Sequence, residues 1–172
     1  MRFALFVLLT LVAVVALATL WGTRLPVGHV ATRALTLNQR PLAVWAVLSD
    51  FGEQATWRTD LKEVRRLAGA AKETWIEIGG NGEMPLETSE SDPPRRLVRT
   101  IADPTLPFGG KWIYVLTPDG EGTRLTITEE GKVYNPLFRF VSHYLINPAG
   151  TVEGVMKDLA AHFNEAPRIG AP

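Results

Sequence analysis

The sequence predicts an α+β domain with an antiparallel sheet, preceded by an N-terminal transmembrane helix. Three observations support this prediction. Residues 3–23 contain no charged side chain. A short helical segment is followed by about six strand-like segments, and strands bounded by helices are typical of α+β folds with antiparallel sheets. The last long segment, 135–163, has apolar residues at helical spacing, so we expect it to lie on one face of the sheet.

The composition is that of a folded domain and excludes several classes of function. Of the 172 residues, 46% are hydrophobic and 21% are charged, which argues against disorder. The 18 basic and 18 acidic residues give a net charge of zero, so nothing indicates nucleic-acid binding. The chain has no cysteine, which excludes disulfides, thiolate catalysis and zinc–thiolate sites.

The N-terminal apolar run has two interpretations. Its 21 residues would span ~31 Å as a helix, about the thickness of the hydrocarbon core of a bilayer. Ala16-Leu17-Ala18 fits signal-peptidase cleavage. However, only Arg2 precedes the run, and the run continues to Trp21, a residue that favours the membrane interface. We therefore favour an uncleaved single-span anchor over residues 1–24.

Charges beside this segment give conflicting indications of topology. Arg2 and the free amine favour a cytoplasmic N-terminus, which would place the domain outside the cytoplasm. Arg24, Arg33 and Arg40 follow the segment with no acid before Asp50, and they favour the opposite orientation. Because a signal peptide and a cytoplasmic N-terminus both lead to export, we predict an extracytoplasmic domain.

The first elements of the soluble part follow a short connector, 25–29. Alternation from Val30 predicts a strand. Pro41 then suits a first helical turn, and apolar residues at helical spacing run to Phe51. Gly52 is expected to end this helix, and residues 54–60 form a further short turn that carries Trp57.

Six strand-like segments come next, separated by glycine, proline and aspartate. They are 64–67, 74–78, 86–89, 97–101, 111–117 and 123–128. Turns are expected at 79–82 and 92–94, a longer connection at 103–110, and a hairpin loop at 118–122. The folded domain is therefore predicted to span 30–164, with 165–172 as a tail that frays.

The final segment is predicted to form a short helix and then a longer one, because Asn147-Pro148 interrupts the helical pattern. Eight apolar residues share one face of this segment: Phe138, Val141, Leu145, Val152, Val155, Met156, Leu159 and Phe163.

Several motifs resemble a known family. They are Pro41-x-x-Val44-Trp45-x-x-Leu48-x-Asp50-Phe51, Trp57-Arg58-x-Asp60, Gly109-Gly110-Lys111-Trp112-x-Tyr114-x-Leu116-x-Pro118, Gly122-Thr123-Arg124-Leu125-Thr126-Ile127-Thr128 and Asn135-Pro136-x-Phe138-Arg139-Phe140. Together these motifs resemble the START-like polyketide cyclase/dehydrase and lipid-transport domains, the SRPBCC superfamily, over about residues 30–163. The resemblance implies a helix-grip fold, in which a curved antiparallel sheet wraps around the long C-terminal helix and encloses an apolar cavity.

Two functional hypotheses follow from this resemblance, because the superfamily includes binders of hydrophobic ligands, lipid carriers and cyclases. In the first, the domain binds or carries a hydrophobic small molecule or lipid at the membrane. In the second, it is a cyclase or dehydratase acting on an aromatic or polyketide-like substrate. We favour binding, because no pair of titratable residues stands out in the sequence.

Candidate cavity residues are mainly aromatic. Trp112, Tyr114 and Leu116 alternate along one strand and so share a face, which the resemblance places inward. The full set of candidates is Trp57, Trp75, Trp112, Tyr114, Leu116 and Met156. Packing in the core would explain the aromatic residues equally well. Glu77 and Arg99 could point inward as polar groups, although charges on strands are more commonly solvated.

No catalytic residue, metal site or cofactor is predicted. His29, His143 and His162 have no carboxylate at ligand spacing, so solvated histidines are the simpler interpretation. No serine lies in a nucleophile-elbow sequence. The predicted partners are a hydrophobic small molecule or lipid and the membrane itself.

Overall fold

A computed structural model describes residues 2–80 and 82–172, and the predicted turn at 79–82 includes Asn81, which lies outside the described residues. The elements in chain order are α1 (Arg2–Gly22), β1 (Gly28–Leu37), α2 (Pro41–Ser49), a 3₁₀ turn (Phe51–Glu53), α3 (Gln54–Trp57), β2 (Leu61–Arg66), β3 (Thr74–Gly79), β4 (Gly82–Asp92), β5 (Arg96–Ile101), β6 (Phe108–Asp119), β7 (Gly122–Val133), α4 (Pro136–Leu145), α5 (Gly150–His162) and β8 (Arg168–Gly170).

All eight strands form one sheet in the order β2-β3-β4-β5-β6-β7-β1-β8, with every neighbouring pair antiparallel. Irregular register near Leu61–Glu63 in β2 and near Thr88–Glu90 in β4 interrupts the ladder. Bulges of this kind bend strands and help a sheet to curve. The predicted α+β fold, with a curved antiparallel sheet and a C-terminal helix, is confirmed.

The core lies between the sheet and two helices. Helix α5 contacts β1 and β7, and α2 contacts β6 and β7. Alternate residues of β7, such as Leu125 and Ile127, point into this layer and are fully buried. From α5, Val152, Met156 and Leu159 meet them, each no more than 1% exposed. Burial of an apolar side chain of this size stabilises the fold by ~1.5–3 kcal/mol, before ordering entropy.

The predicted break at Asn147-Pro148 is present, but the two helices behave differently. Helix α5 buries its apolar face as expected. Helix α4 does not, since Phe138 is 59% exposed and Leu145 is 76% exposed. The expectation that one continuous apolar stripe lies on the sheet is therefore wrong for α4. The chain turns at the break, and α4 packs against α1 instead of following α5 over the sheet.

The chain is also more ordered at its C-terminus than the sequence predicts. Instead of fraying, Arg168–Gly170 forms β8, which pairs with residues 34–36 of β1. Ile169 lies opposite Leu35 and packs against the core. Glu165 accepts hydrogen bonds from the Asn38 backbone and the Gln39 side chain, which fixes the start of the tail. β8 therefore covers part of an edge that β1 would otherwise expose.

Helix α1 is long and apolar enough to cross a membrane, although a cleaved signal sequence would have the same properties. Its C-terminal end packs against α4. A Cβ atom at Gly22 would collide with the Pro136 carbonyl, so the two helices can approach this closely only at a glycine. Arg139 donates hydrogen bonds to the carbonyls of Gly22 and Leu25, both at 3.2 Å. A cation at this position also suits the partial negative charge of a helix C-terminus.

Candidate ligand-binding cavity

A cavity of about 410 Å³ lies between the inner face of the sheet and helices α4 and α5. Its size is within the range of small-molecule sites. The apolar part of its wall is formed by Met84, Leu86, Ile101, Pro107, Phe108, Phe138, Val141, Ile146 and Val155. The polar part includes His29, Arg58, Asp60, Glu77, Trp112, Tyr114 and Glu129. The wall therefore combines apolar residues with charged and polar ones, and the two kinds are neighbours in places, since Met84 on β4 pairs with Glu77 on β3.

Strand register brings the polar residues together. Trp112 on β6 pairs with Glu129 on β7 and with Arg99 on β5. Directly opposite residues of an antiparallel pair point to the same face, so these three side chains form one row across the inner face. Tyr114 lies two residues further along β6, on the same face.

The Glu129 carboxylate is held by two neighbours. Its Oε2 accepts a hydrogen bond from Trp112 Nε1 at 3.0 Å, and its Oε1 lies 3.2 Å from His29 Nε2. Gly131 makes the second contact possible, because a Cβ there would overlap the His29 ring. A carboxylate and an imidazole, 100 residues apart in sequence, are thus paired on the cavity wall.

A second buried group centres on Arg58. Its Nη1 donates to Glu77 Oε2 and to Gln54 Oε1, both at 3.0 Å. Its Nε and Nη2 contact the Asp60 carboxylate at 3.1 and 2.7 Å. Burial alone would lower the pKa of Arg58, but attraction to Glu77 and hydrogen bonding to Asp60 raise it above its ordinary value. The guanidinium therefore remains charged inside the fold.

Tyr114 presents a free hydroxyl to this charged region. Burial, together with the Glu77 and Glu129 carboxylates, raises the pKa of Tyr114 to about 12, against the opposing effect of Arg58 and Arg99. Within the described part of the chain, no protein group forms a hydrogen bond with this hydroxyl. Because the residue lines the cavity, its hydroxyl can donate to, or accept from, a bound ligand.

Arg99 lies next to this group and is only 3% exposed. Its Nη2 donates to the Leu86 carbonyl at 3.0 Å, and its guanidinium carbon is 3.6 Å from the centre of the Phe51 ring. Among the described residues, its Nε and Nη1 have no hydrogen-bond partner. Burial lowers the pKa of Arg99, and the nearby carboxylates, Glu77 first, oppose that shift. Glu77 and Arg99 therefore point inward, and neither is a solvated strand charge.

Two of the six predicted cavity residues, Trp112 and Tyr114, lie on the cavity wall. The other four pack elsewhere. Leu116 and Met156 are buried in the apolar core, and Trp75 lies 6.2 Å from Phe51, centre to centre. Trp57 packs against the core, and its ring is 6.0 Å from the ring of His162. A role in ligand binding remains a prediction for all six residues.

Sequence reasoning missed His29, Arg58 and Glu129 as cavity residues. The sequence predicts a strand ending at residue 128, whereas β7 continues to Val133. Leu125, Ile127 and Glu129 follow each other at intervals of two positions and so lie on the same face of β7, which points inward. His29 gives no local signal, because its partner Glu129 lies on the neighbouring strand β7, 100 residues away in sequence. In residues 2–80 and 82–172, no group of three or more His, Asp or Glu side chains could hold a metal ion.

A larger depression of about 810 Å³ shares Gly109 and Gly110 of β6 and Gly131 of β7 with the cavity lining. Its side chains include Thr100, Lys111 and Glu130, which pair across the sheet on the face opposite Trp112. This depression is more open to solvent than the cavity. We regard the cavity, which is the less open and more apolar of the two, as the better candidate site.

These features define a START-like helix-grip domain with an internal cavity. Three solved structures are similar to it in fold. A START superfamily protein from Mycobacterium smegmatis has 13% identity and a TM-score of 0.63, with 79% of this chain and 97% of that chain covered. A conserved protein from Geobacillus kaustophilus has 17% identity and a TM-score of 0.64, with 82% and 99% covered. Norcoclaurine synthase from Thalictrum flavum has 12% identity and a TM-score of 0.63, with 81% and 88% covered.

Residues 29–165 match the family described as polyketide cyclase / dehydrase and lipid transport, and the chain belongs to this family. Among curated proteins, none is similar enough in sequence to count as a relative.

Proposed function

We propose that this protein is a membrane-anchored domain that binds or carries a hydrophobic small molecule or lipid. The observation that supports the proposal is the cavity of about 410 Å³, whose wall combines apolar residues with charged and polar ones. An amphipathic ligand would place its apolar body against residues such as Leu86 and Val155. Its polar group would then lie beside Tyr114 and Glu129.

Membrane attachment through α1 is part of the same proposal. The helix has the length and composition of a single span, and at its end Trp21 suits the membrane interface. We further propose that the domain lies outside the cytoplasm. Protease added to spheroplasts should then digest the domain, whereas protection of the domain under conditions that digest a known external protein would place it inside.

Ligand binding can be tested on full-length protein extracted in mild detergent. Native mass spectrometry should show a co-purifying small molecule or lipid. A fluorescent fatty acid should also quench tryptophan emission by entering the cavity. Trp112→Phe should reduce this quenching and weaken binding, because Trp112 lines the cavity. Trp75→Phe is the comparison variant: Trp75 is also a predicted ligand-binding residue and is half-buried, but it lies outside the cavity lining, so this variant should bind as the wild type does. Equal binding by both variants would contradict the assigned site.

An enzymatic function is a second candidate, favoured by the contact of Glu129 with His29 and by the free Tyr114 hydroxyl beside them. Such groups can transfer protons to and from a substrate. Tyr114→Phe separates the two functions. In a binding protein it should change ligand affinity by about 0.5–1.5 kcal/mol, the net value of one hydrogen bond. In an enzyme that uses this hydroxyl, turnover should fall by a factor on the order of 10²–10⁴ while binding is largely kept.

A further inference from the structure

We propose that α4 lies in the surface of the lipid bilayer, so that the cavity opens toward lipid and not toward water. This inference rests on the proposed attachment of α1 to the membrane. It adds a specific interaction surface and a route for the ligand, neither of which follows from the anchor alone.

The first argument is the exposed apolar surface of α4. Phe138, Tyr144 and Leu145, together with Ile146 just beyond the helix end, are 59%, 53%, 76% and 57% exposed. Phe138 and Leu145 are seven residues apart and so share one face of this short helix, and Tyr144 and Ile146 adjoin Leu145 in the chain. These four residues are called the exposed apolar patch below, and apolar residues elsewhere on the soluble domain are mostly buried or scattered. A contiguous exposed apolar patch marks a surface that binds another apolar surface.

The second argument is the position of α4 relative to the proposed membrane span, α1. Arg139 of α4 donates to the Gly22 carbonyl in the last residue of α1. Trp21 Nε1 donates to the Tyr144 hydroxyl at 3.1 Å. Tryptophan and tyrosine favour the boundary between acyl chains and headgroups. With α1 across the bilayer, these contacts place α4 at that boundary, where an amphipathic helix is stable.

The third argument is that α4 also forms part of the cavity wall. Four residues serve as lining at this side: Phe138, Val141, Ser142 and Ile146. Two of them, Phe138 and Ile146, belong to the exposed apolar patch as well. These two side chains therefore border both the cavity and the outer surface, on the side where the proposal places the bilayer. A hydrophobic ligand could pass from the acyl chains into the cavity without crossing water.

The depth of α4 can be measured because the chain has no cysteine, so that single cysteines can be labelled without background. Full-length protein would be placed in liposomes with an environment-sensitive fluorophore at Leu145→Cys. Leu11→Cys in the middle of α1 reports on the anchor. Leu42→Cys is the matched control, because Leu42 lies on α2 and is 68% exposed. Strand β1, about 33 Å long, separates α2 from the anchor.

The proposal predicts a blue-shifted emission at position 145 that is quenched most by spin labels placed shallowly in the lipid. Position 11 should be quenched most by deep labels, and position 42 by neither. Water-like emission at 145 with deep quenching at 11 would overturn this inference and leave the anchor intact. No quenching at either position would overturn both this inference and the proposed membrane anchor. A blue shift at 145 without lipid quenching would also overturn the inference, because protein, such as a second copy, would then cover α4.

Ligand transfer provides a second test. Leu145→Lys alters the patch without changing a cavity-lining residue. We expect it to slow uptake of a fluorescent lipid from vesicles about tenfold, in line with the loss of one buried leucine, while affinity in detergent is retained. Leu42→Lys should leave the rate unchanged. Equal rates in the two variants would show that ligand does not enter through the lipid-facing side.

Discussion

Charged residues inside the fold give the cavity its character. Arg58 is 8% exposed and Glu77 is 5% exposed, yet each is compensated by the other. Burying an ion pair is costly, and the cost becomes large when one partner is removed. Such a pair adds little stability compared with an apolar pair. We interpret it as a means of keeping charged groups on the wall of the cavity.

Removal of one partner should therefore be strongly destabilising. Glu77→Ala leaves Arg58 with Asp60 and Gln54 but takes away its most deeply buried counter-charge. We expect a loss of about 3–5 kcal/mol in the free energy of unfolding, measured by chemical denaturation. Glu83→Ala is the control, because the Arg65–Glu83 pair is exposed and should contribute no more than about 1 kcal/mol. If the two losses are the same size, the buried pair has no special role.

Tyr114 should make the stability of the protein depend on alkaline pH. The pKa of tyrosine is 10.0 in an unperturbed environment, and that of Tyr114 is raised to about 12 in the folded protein. The folded state therefore holds this proton more tightly than the unfolded state, and its stabilising effect is lost as pH rises from about 10 to about 12. Melting temperatures over this range should fall more steeply for the wild type than for Tyr114→Phe. Parallel curves would show that the phenol is not buried from solvent.

Helix α5 behaves as its sequence pattern predicts. Leu159 is fully buried among core residues, whereas Lys157 is exposed two positions earlier. Leu159→Ala should lower the free energy of unfolding by ~2–5 kcal/mol, because it leaves a cavity in the core. Lys157→Ala should change it by no more than about 0.5 kcal/mol. Urea denaturation of the two variants measures both values, and similar losses would mean that the helix is rotated from its described orientation.

The contrast between α4 and α5 shows what periodicity can and cannot predict. Both helices have apolar residues at helical spacing, so both are identified correctly as helices. Periodicity does not identify the surface that an apolar face contacts. For α5 that surface is the sheet. For α4 it is the end of α1 and the cavity, and Phe138 and Leu145 remain exposed. Similarly, β8 is too short to show alternation, and only pairing with β1 reveals it.

The cavity itself was only partly predictable. The sequence places Trp112 and Tyr114 on one face of a strand, because alternation within one strand is a local property. The His29–Glu129 and Arg58–Glu77 pairs join residues 100 and 19 positions apart. Their proximity depends on strand order and register, which a single sequence does not specify. A charged residue on a strand is usually solvated, so the sequence alone favours the wrong direction for the side chains of Glu77 and Arg99, which point inward.

At the scale of the whole molecule, the location of the domain depends on whether α1 is retained as a membrane anchor or cleaved as a signal peptide. If α1 is an uncleaved anchor, full-length protein should remain with membranes after a carbonate wash, while a chain starting at Leu25 should be soluble and folded. Fractionation followed by N-terminal sequencing measures this. A mature N-terminus at Thr19 would instead identify residues 1–18 as a signal peptide, with export retained.

The contact between α1 and α4 also limits how far the domain can move from the anchor. Only residues 23–27 separate α1 from β1, a span of at most about 17 Å when fully extended. Arg139 binds the Gly22 carbonyl just before this stretch and the Leu25 carbonyl in its middle. While α1 stays in the bilayer, the domain has no tether long enough to swing away from its own leaflet. A domain anchored in this way could not act as a shuttle across an aqueous compartment. Under the proposed function, it would exchange its ligand with lipids of the same leaflet or with a second protein that meets it there.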